Sequence, residues 1–457
     1  MSGGAMSATT QFKDTTGGFL GLGNFNKIRS NPFKFLLDLE KEQGGIAFFR
    51  LGPMFDIYLV TQPDYIREIL VKHWEKTVKW ERIVTASRRV APYNIAILEG
   101  EIWKKHRKLL TPAFHTQRIK AYLALMSGHT ARMIQGWEDN QIYDMSQLMT
   151  RVTLGIIGEI LFDIPEIEQD AAQLSQAFDV LLAQLVVEAG SLFVLPKWLP
   201  LERNKRERAA RDHLIAYLDQ RIQQRRAEGV DHGDVLSALL ESKDADTGES
   251  LTNEEVRDEL YSLFIAGHET TALLVQWALY MLAKHPDIQT RLHQEAVNVM
   301  GDEAITLEGL ESLTFTDCVI KETLRMYPPA WSLFLRTVIE DIPLDGYVIP
   351  KGGVLYISPY VQHHLPQYWE NPDAFDPSRF EGDWKSRIPA YAYMPFGGGP
   401  RVCLGSHMAE MEAKVILATV IKDFSVELVE PDQQVYKNGG FTLRPYPNLL
   451  LRICKRA

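Results

Sequence analysis

Between Thr252 and Pro286 the chain runs with no proline to break a helix. Leu251–Thr252–Asn253–Glu254–Glu255 opens this stretch with a Thr three residues ahead of a Glu. That is a capping box, in which hydroxyl and carboxylate satisfy amides that a first helical turn leaves unpaired. The spacing predicts a helix of roughly 32 residues, on the order of 50 Å at 1.5 Å per residue. A helix that long crosses a whole domain. Its ends are polar and its middle, Leu260–Ala266 and Ala272–Ala283, is mostly apolar, so it reads as a central core helix. His268 and Glu269 near the middle argue against a membrane span, because ionisable groups there are costly in lipid and usually mark function. The apolar stretch Phe178 to Leu195 is read the same way, since it carries Asp179, Gln184 and Glu188.

A helix of this length needs a large core around it. The chain has 457 residues, 46% of them hydrophobic, with no Pro/Gly/Ser-rich linker and no repeat. We expect residues 1–23 to be a flexible tail and residues 24–457 one large domain, in which two uneven lobes are possible. A formal charge of −10 argues against a general nucleic-acid binder, which needs excess Lys and Arg to neutralise phosphates. Three widely spaced cysteines, Cys318, Cys403 and Cys454, offer no disulfide framework and suit a reducing compartment. The first residues are small and polar, without the basic and apolar regions of a signal peptide. A cytoplasmic protein with no transmembrane anchor is expected.

Ile46–Leu51 and Ile57–Val60 read as strands joined by a turn at Gly52–Pro53. From Asp64 to about Asp423 most segments read helical. A second β-rich stretch runs from Leu333 to Ile357, turning at Asp345–Gly346 and at Pro350–Lys351–Gly352. Near the end, Asn438–Gly439 is a hairpin signal before Phe441–Leu443 and Leu449–Ile453.

Into the apolar middle of the long helix the sequence sets Ala266–Gly267–His268–Glu269–Thr270–Thr271. Gly costs about 1 kcal/mol inside a helix, and buried polar side chains need partners. One reading is a packing notch, with Thr hydroxyls bonded back to the preceding turn. The other is a groove opened by Ala266 and Gly267 for a small molecule, with an acid and an alcohol at its edge.

The most informative loop is Pro395–Phe396–Gly397–Gly398–Gly399–Pro400–Arg401–Val402–Cys403–Leu404–Gly405. Three glycines between two prolines make a tight turn whose backbone can approach something closely. Ser406 to Phe424 then reads as an amphipathic helix. Cys403 thus sits near a helix N-terminus, where unpaired amides and the dipole favour a thiolate. A buried packing cysteine is the ordinary fate of this residue type, but the glycine loop and Arg401 point elsewhere. With no second Cys or His at zinc spacing it makes a poor zinc site. It makes a good axial ligand for haem iron, where sulfur pushes electron density that favours O–O cleavage. A phosphate loop is excluded, because no Gly-Lys-Ser/Thr follows. His363–His364 is no metal pair, since adjacent side chains point apart, and Cys318 and Cys454 are read as packing residues.

These residues resemble the cytochrome P450 family over nearly the whole chain from Asn24. Phe396, Gly399, Arg401, Cys403 and Gly405 match every fixed position of its Phe-x-x-Gly-x-Arg-x-Cys-x-Gly loop. Ala266 to Thr271 matches its oxygen-activating helix motif, Glu322 and Arg325 its Glu-x-x-Arg signature, and Pro377–Ser378–Arg379–Phe380 its downstream Pro-x-Arg-Phe. Trp103 and Arg107 fit its Trp-x-x-x-Arg pattern. Five weak motifs in the right order are together very specific. The resemblance implies a mainly α fold with small β-sheets, divided into a helix-rich and a β-rich lobe, that binds heme b. It makes Cys403 the iron ligand, framed by Phe396 and Gly405, and Trp103, Arg107, Arg401 and Arg336 the propionate partners. Glu322, Arg325 and Arg379 become a buried structural triad rather than an exposed surface pair.

The implied activity is a monooxygenase reaction, inserting one oxygen atom of dioxygen into a C–H bond. Thr270 and Glu269 would deliver protons, with Glu269 connecting to solvent. No flavin or ferredoxin module is visible, so electrons are expected from a separate ferredoxin or flavodoxin/reductase-type donor. Lys104, Lys105 and Lys108 would form a docking face for that carrier. The pattern looks closer to branches oxidising long-chain fatty acids and isoprenoids than to those oxidising small terpenes. Asn94, Ile95, Ile97, the stretch from Phe178, Ala266, Trp331 and Leu333 are the candidate pocket positions for a lipophilic substrate, terpenoid and steroid-like molecules included. A haem-thiolate peroxygenase or isomerase, and a haem-binding sensor without catalysis, are the alternatives.

Overall fold

The long helix forms where the capping box sets it. It spans Asn253–Lys284, 32 residues, with the Thr252 side chain accepting from the Glu255 amide and the Glu255 carboxylate accepting from the Thr252 amide. It stops at Lys284, two residues before Pro286, which opens the next helix, Pro286–Met300. Its middle is buried almost without a break from Thr271 to Leu282.

The computed structural model describes residues 17–18, 21–163, 168–189, 191, 196–244 and 247–456. Most of the expected tail lies outside these residues. The first helix, Leu22–Ser30, begins two residues ahead of the boundary we placed at Asn24. The fold is mainly helical with small sheets, and the chain divides into two compact units.

The smaller unit takes residues 1–84, 330–374 and 383–403. Its sheet has five short strands, in the order Ile46–Leu51, Phe55–Val60, Val354–Tyr356, Arg336–Val338, Thr77–Lys79. All neighbours pair antiparallel except Phe55–Val60 with Val354–Tyr356. Its core gathers Phe48, Tyr58, Val60, Ile66, Ile69, Val338, Ile349 and Leu355. The expected strand Ile46–Leu51 is there to the residue, and its partner starts two residues earlier than expected. Thr77–Lys79 was not anticipated: three residues carry no readable alternation, and the strand exists by pairing with Arg336–Val338.

The larger unit takes residues 85–329, 375–382 and 404–457. The central helix packs in it along a second apolar helix, Met145–Phe162. Gly267 makes that approach possible, because a Cβ there would lie 2.6 Å from Ile157 Cδ1 and 2.7 Å from Ile157 Cγ1. One turn away the Thr153 hydroxyl donates to the His268 carbonyl at 2.9 Å, a hydrogen bond between the two helices. A three-stranded sheet (Gln141–Asp144, Leu450–Lys455, Phe424–Leu428) and the hairpin Tyr436–Gly439 with Leu443–Tyr446 complete the unit. The expected hairpin is real but shifted. Gly439 pairs with Leu443, so Asn438–Gly439 ends a strand, and the reversal falls at residues 440–442, where Phe441–Leu443 was read as strand. Among the described residues no helix is long and apolar enough to cross a membrane.

Gly267→Ala is therefore expected to destabilise by about 1–3 kcal/mol, the usual cost of overpacking. In the Ile157→Ala background the added methyl has room. Urea unfolding of the four proteins should show the double variant less destabilised than the sum of the singles, and strict additivity would contradict the contact.

Candidate functional site

In the smaller unit the cysteine loop closes on itself. The Cys403 amide donates to the Phe396 carbonyl at 3.0 Å, the Gly397 amide to Met394, and the Val402 amide to Gly399. Gly397 and Gly399 take positive φ, 74° and 66°. At Gly399 no other residue fits, since a Cβ would lie 2.0 Å from the Leu70 carbonyl oxygen. The loop thereby holds Cys403 exposed on a fixed backbone. The helix Ser406–Asp423 starts three residues later, with Gly405 as its N-cap. Arg401 lies over the Trp74 ring, 6.0 Å from its centroid. Arg336 is buried and donates from Nε to the Thr77 hydroxyl at 2.7 Å. Leu333 borders the loop at Gly397, whereas Trp331 is buried edge-on against Phe33.

In the larger unit the packing-notch reading of the Ala266–Thr271 segment describes one side of the helix. Gly267 is the packing notch, and the Thr270 hydroxyl donates back to the Ala266 carbonyl at 2.6 Å. Yet Ala266 itself is exposed and Thr270 half-buried, just before the run from Thr271 to Leu282 that is wholly buried. His268 turns the other way. It is fully buried against Phe178 and Phe264, its Nδ1 bonds the Phe264 carbonyl at 2.8 Å, and burial pushes its pKa down, toward the neutral ring. Glu269 is buried and accepts from Thr442 and Arg444 on the C-terminal hairpin.

The same unit brings Glu322, Arg325 and Arg379 together. Arg325 forks onto both Glu322 oxygens at 2.7 and 2.9 Å, Arg379 Nε lies 3.4 Å from Oε1, and the Asp376 amide donates to Oε1 at 2.9 Å. Glu322 and Arg325 are wholly buried. A carboxylate satisfied this way ties the helix Thr314–Met326 to the segment after Phe375, and removing one partner would strand the other charge. Trp103 and Arg107 share the helix Gly100–Leu110, the first buried and the second half-buried.

The cytochrome P450 family model matches residues 16–452. The chain belongs to the cytochrome P450 family. It is 31% identical over 403 residues to cyclooctat-9-en-7-ol 5-monooxygenase of Streptomyces melanosporofaciens, covering 87% of this chain and 86% of that one. It is 30% identical to cyclooctatin synthase of the same organism, over 97% and 95% of the two chains. Among solved structures it is similar to retinoic acid-bound cyanobacterial CYP120A1, at a TM-score of 0.86 and 25% identity over 97% of this chain and 99% of that one.

P450 membership implies a haem, and the donor chemistry fits one. Cys403 offers a single exposed sulfur on a rigid loop, and among the described residues no group of three or more His, Cys, Asp or Glu gathers to hold a bare ion. One protein ligand suits an iron whose other ligands come with a macrocycle. His363 and His364 are spent elsewhere: His363 Nε2 accepts from the Met394 amide, and His364 Nδ1 bonds the Tyr360 carbonyl. The lysines expected to form a docking face each have an acidic neighbour. Lys104 pairs with Glu101 at 2.9 Å, Lys105 with Glu249 at 2.7 Å and Lys108 with Asp244 at 3.6 Å, which reduces the face's positive field.

Sequence reading missed how the loop carrying Asn94, Ile95 and Ile97 is fixed. Two adjacent acids near the start of the central helix catch its backbone: Asp258 accepts from the Tyr93 amide at 2.8 Å and Glu259 from the Ile95 amide at 3.1 Å. Glu259 also bonds the buried His106 at 2.7 Å. Asn94 is committed to the loop's own turn, donating to Ala91 and accepting from Ala96, which leaves Ile95, half-buried, as its more open neighbour.

Burial pushes the Asp258 carboxyl from its ordinary 3.8 up to about 6, against the Tyr93 amide and Arg257, which favour the charged form. Between these two values the folded protein holds a proton that the unfolded chain has released, so stability from this group falls as pH rises from about 4 to about 6. Asp258→Asn keeps an acceptor for Tyr93 and removes the titration. Unfolding free energies measured across that window should fall less steeply with pH in the variant, and an unchanged slope would contradict the assignment.

Proposed function

We propose that this P450 is a haem-thiolate monooxygenase of isoprenoid substrates. Cys403, within the loop framed by Phe396 and Gly405, would hold the haem iron, and Trp103, Arg107, Arg336 and Arg401 would hold its propionates. The observation that carries the reading is the exposed Cys403 sulfur on a loop that its own hydrogen bond to Phe396 and the Gly399–Leu70 approach make rigid. Residues 24–457 are then one haem domain, in keeping with the extent of the family match. When bound, heme b supplies reductive activation of dioxygen, with electrons from a separate ferredoxin or flavodoxin/reductase-type protein.

The chain's own part is proton handling and substrate placement. Thr270 Oγ1 now spends its proton on the Ala266 carbonyl. A hydroxyl can donate once and accept twice, so Thr270 can accept a hydrogen bond from water on its exposed side, and it passes its own proton onward only by turning away from the Ala266 carbonyl as the water's proton replaces it. Glu269, the neighbouring acid, is the source from which Thr270 is resupplied. Their side chains diverge by about 100° around the helix, which calls for water between them. Ala266, small and exposed, leaves room for a substrate beside this pair.

The substrate class rests on the relatives. One is named for a cyclic alkenol, and the solved P450 holds retinoic acid, an isoprenoid acid. Ile95 and Ala266, apolar and not wholly buried, are side chains of the kind such a molecule needs around it.

Titrating the haem-loaded protein with C15–C20 isoprenoids and with fatty acids of matched length tests the reading. Isoprenoids should displace the iron's sixth ligand and give the high-spin difference spectrum at micromolar concentration. A response to fatty acids alone would overturn the substrate class. With a responding compound, dioxygen and reductant should give hydroxylated product. Thr270→Ala should bind it equally while product per electron pair falls several-fold. Turnover on peroxide alone would favour the peroxygenase alternative.

A further inference from the structure

Among the described residues, three donors converge on one oxygen of Glu269. Oε1 accepts from the Thr442 hydroxyl, from Arg444 Nε at 3.0 Å and from Arg444 Nη2 at 2.6 Å. Oε2 takes part in none of these bonds, and it is not among the buried polar atoms that lack a partner. The carboxylate is thus clamped from one side and left with a second oxygen to work with.

The clamp is itself anchored. Arg444 Nη2 also donates to Asp179 Oδ1 at 2.9 Å, on the helix Glu168–Ala189. One guanidinium therefore lies between a carboxylate whose side chain is 8% exposed and another that is 54% exposed, its own side chain being 41% exposed. The backbone beside Arg444 is fixed from the central helix: Trp277 Nε1 donates to the Leu443 carbonyl at 3.0 Å, and the Leu443 amide donates to the Pro329 carbonyl at 3.0 Å. Trp277 stands eight residues after Glu269, about two turns along the same helix. The helix that carries the acid thus also places the cation that grips it. Thr442, buried at the hairpin's reversal, supplies the third donor.

An ordinary ion pair bridging a strand and a helix would need neither a buried member nor convergence of three donors on one oxygen. Exposed pairs contribute little, whereas a half-buried guanidinium serving two carboxylates fixes geometry through its planar fork. Arg444 has the means to set which Glu269 oxygen carries the moving proton.

We propose that Arg444 is a positioning residue for proton delivery: by holding Glu269 through Oε1 it presents Oε2 as the proton-carrying atom, with Asp179 steadying the guanidinium. This rests on the reading of Glu269 as the proton source for Thr270, and it adds residues from the C-terminal hairpin and the Glu168–Ala189 helix to that role. The proton leaves Oε2 for Thr270's water and is replaced there from solvent, so the Arg444–Oε1 bonds persist throughout.

The test is a double-mutant cycle on the haem-loaded protein, reading product per electron pair and the solvent deuterium isotope effect. Substrate-induced difference spectra provide the readout that does not depend on turnover. Glu269→Gln should uncouple strongly. Arg444→Ala should uncouple by about tenfold, a part of the roughly hundredfold or more that a positioned proton donor contributes, and should raise the isotope effect. Arg444→Lys should recover part of the loss, keeping the charge without the fork, and Asp179→Asn should lose less than Arg444→Ala. In the Glu269→Gln background the Arg444→Ala change should add nothing, and substrate dissociation constants should stay within about twofold throughout. Full additivity of the two losses, or coupling intact in Arg444→Ala while Glu269→Gln is uncoupled, overturns the proposal and spares the Glu269 reading. Intact coupling in Glu269→Gln overturns both. A loss in Arg444→Ala matched by loss of substrate binding would make Arg444 a structural residue only.

Discussion

A polar side chain inside an apolar helix has to be met by a partner, and the partners of the central helix organise the larger unit. Along Asn253–Lys284, Asp258 and Glu259 take backbone amides of the loop at residues 93–95 and the ring of His106; the His268 carbonyl takes the Thr153 hydroxyl; Glu269 takes Thr442 and Arg444. Each contact ties a different part of the unit to one rod. Because an unmet buried donor or acceptor costs about 1–3 kcal/mol, these ties select among packings that apolar contacts alone would leave nearly equal. Glu412, on the helix Ser406–Asp423, is the counter-case. Among the described residues its buried carboxyl has no hydrogen-bond partner, and burial drives it well above the usual carboxylate range.

What was legible in the sequence is what local chemistry decides. Thr252 with Glu255 and the absence of proline before Pro286 gave the start of the long helix and its length of about 32 residues, and the Gly52–Pro53 turn bounded Ile46–Leu51. Short strands such as Thr77–Lys79 and Gln141–Asp144 were not legible, because their reason to exist is a partner far along the chain. The displaced hairpin has a related cause. Asn438–Gly439 can form a two-residue turn, but Leu443 is bonded to Pro329 and Trp277, and that tertiary anchor sets the register.

The site divides along the same line. The cysteine loop and the Glu322–Arg325 pair are short-range patterns, and each could be read from spacing. Pairs made at long range could not be: His106 and Glu259 lie 153 positions apart, Glu269 and Arg444 175. An Arg in a terminal hairpin and adjacent acids at the polar end of a helix look, in sequence, like solvated surface. Even Lys105 and Lys108 of Gly100–Leu110, read as part of a docking face, are found beside acids from other segments. In this chain the motifs are written locally, and the ion pairs and hydrogen bonds around the central helix are written at long range.

The functional account stands on Cys403 as the iron's ligand. The carbon monoxide difference spectrum of the reduced, haem-loaded protein measures that bond directly, read beside the same spectrum of Cys403→Ser. The account predicts the long-wavelength band of a thiolate-ligated haem in the parent protein and its disappearance in the variant. An imidazole-type band in the parent, or the thiolate band surviving in Cys403→Ser, would contradict it.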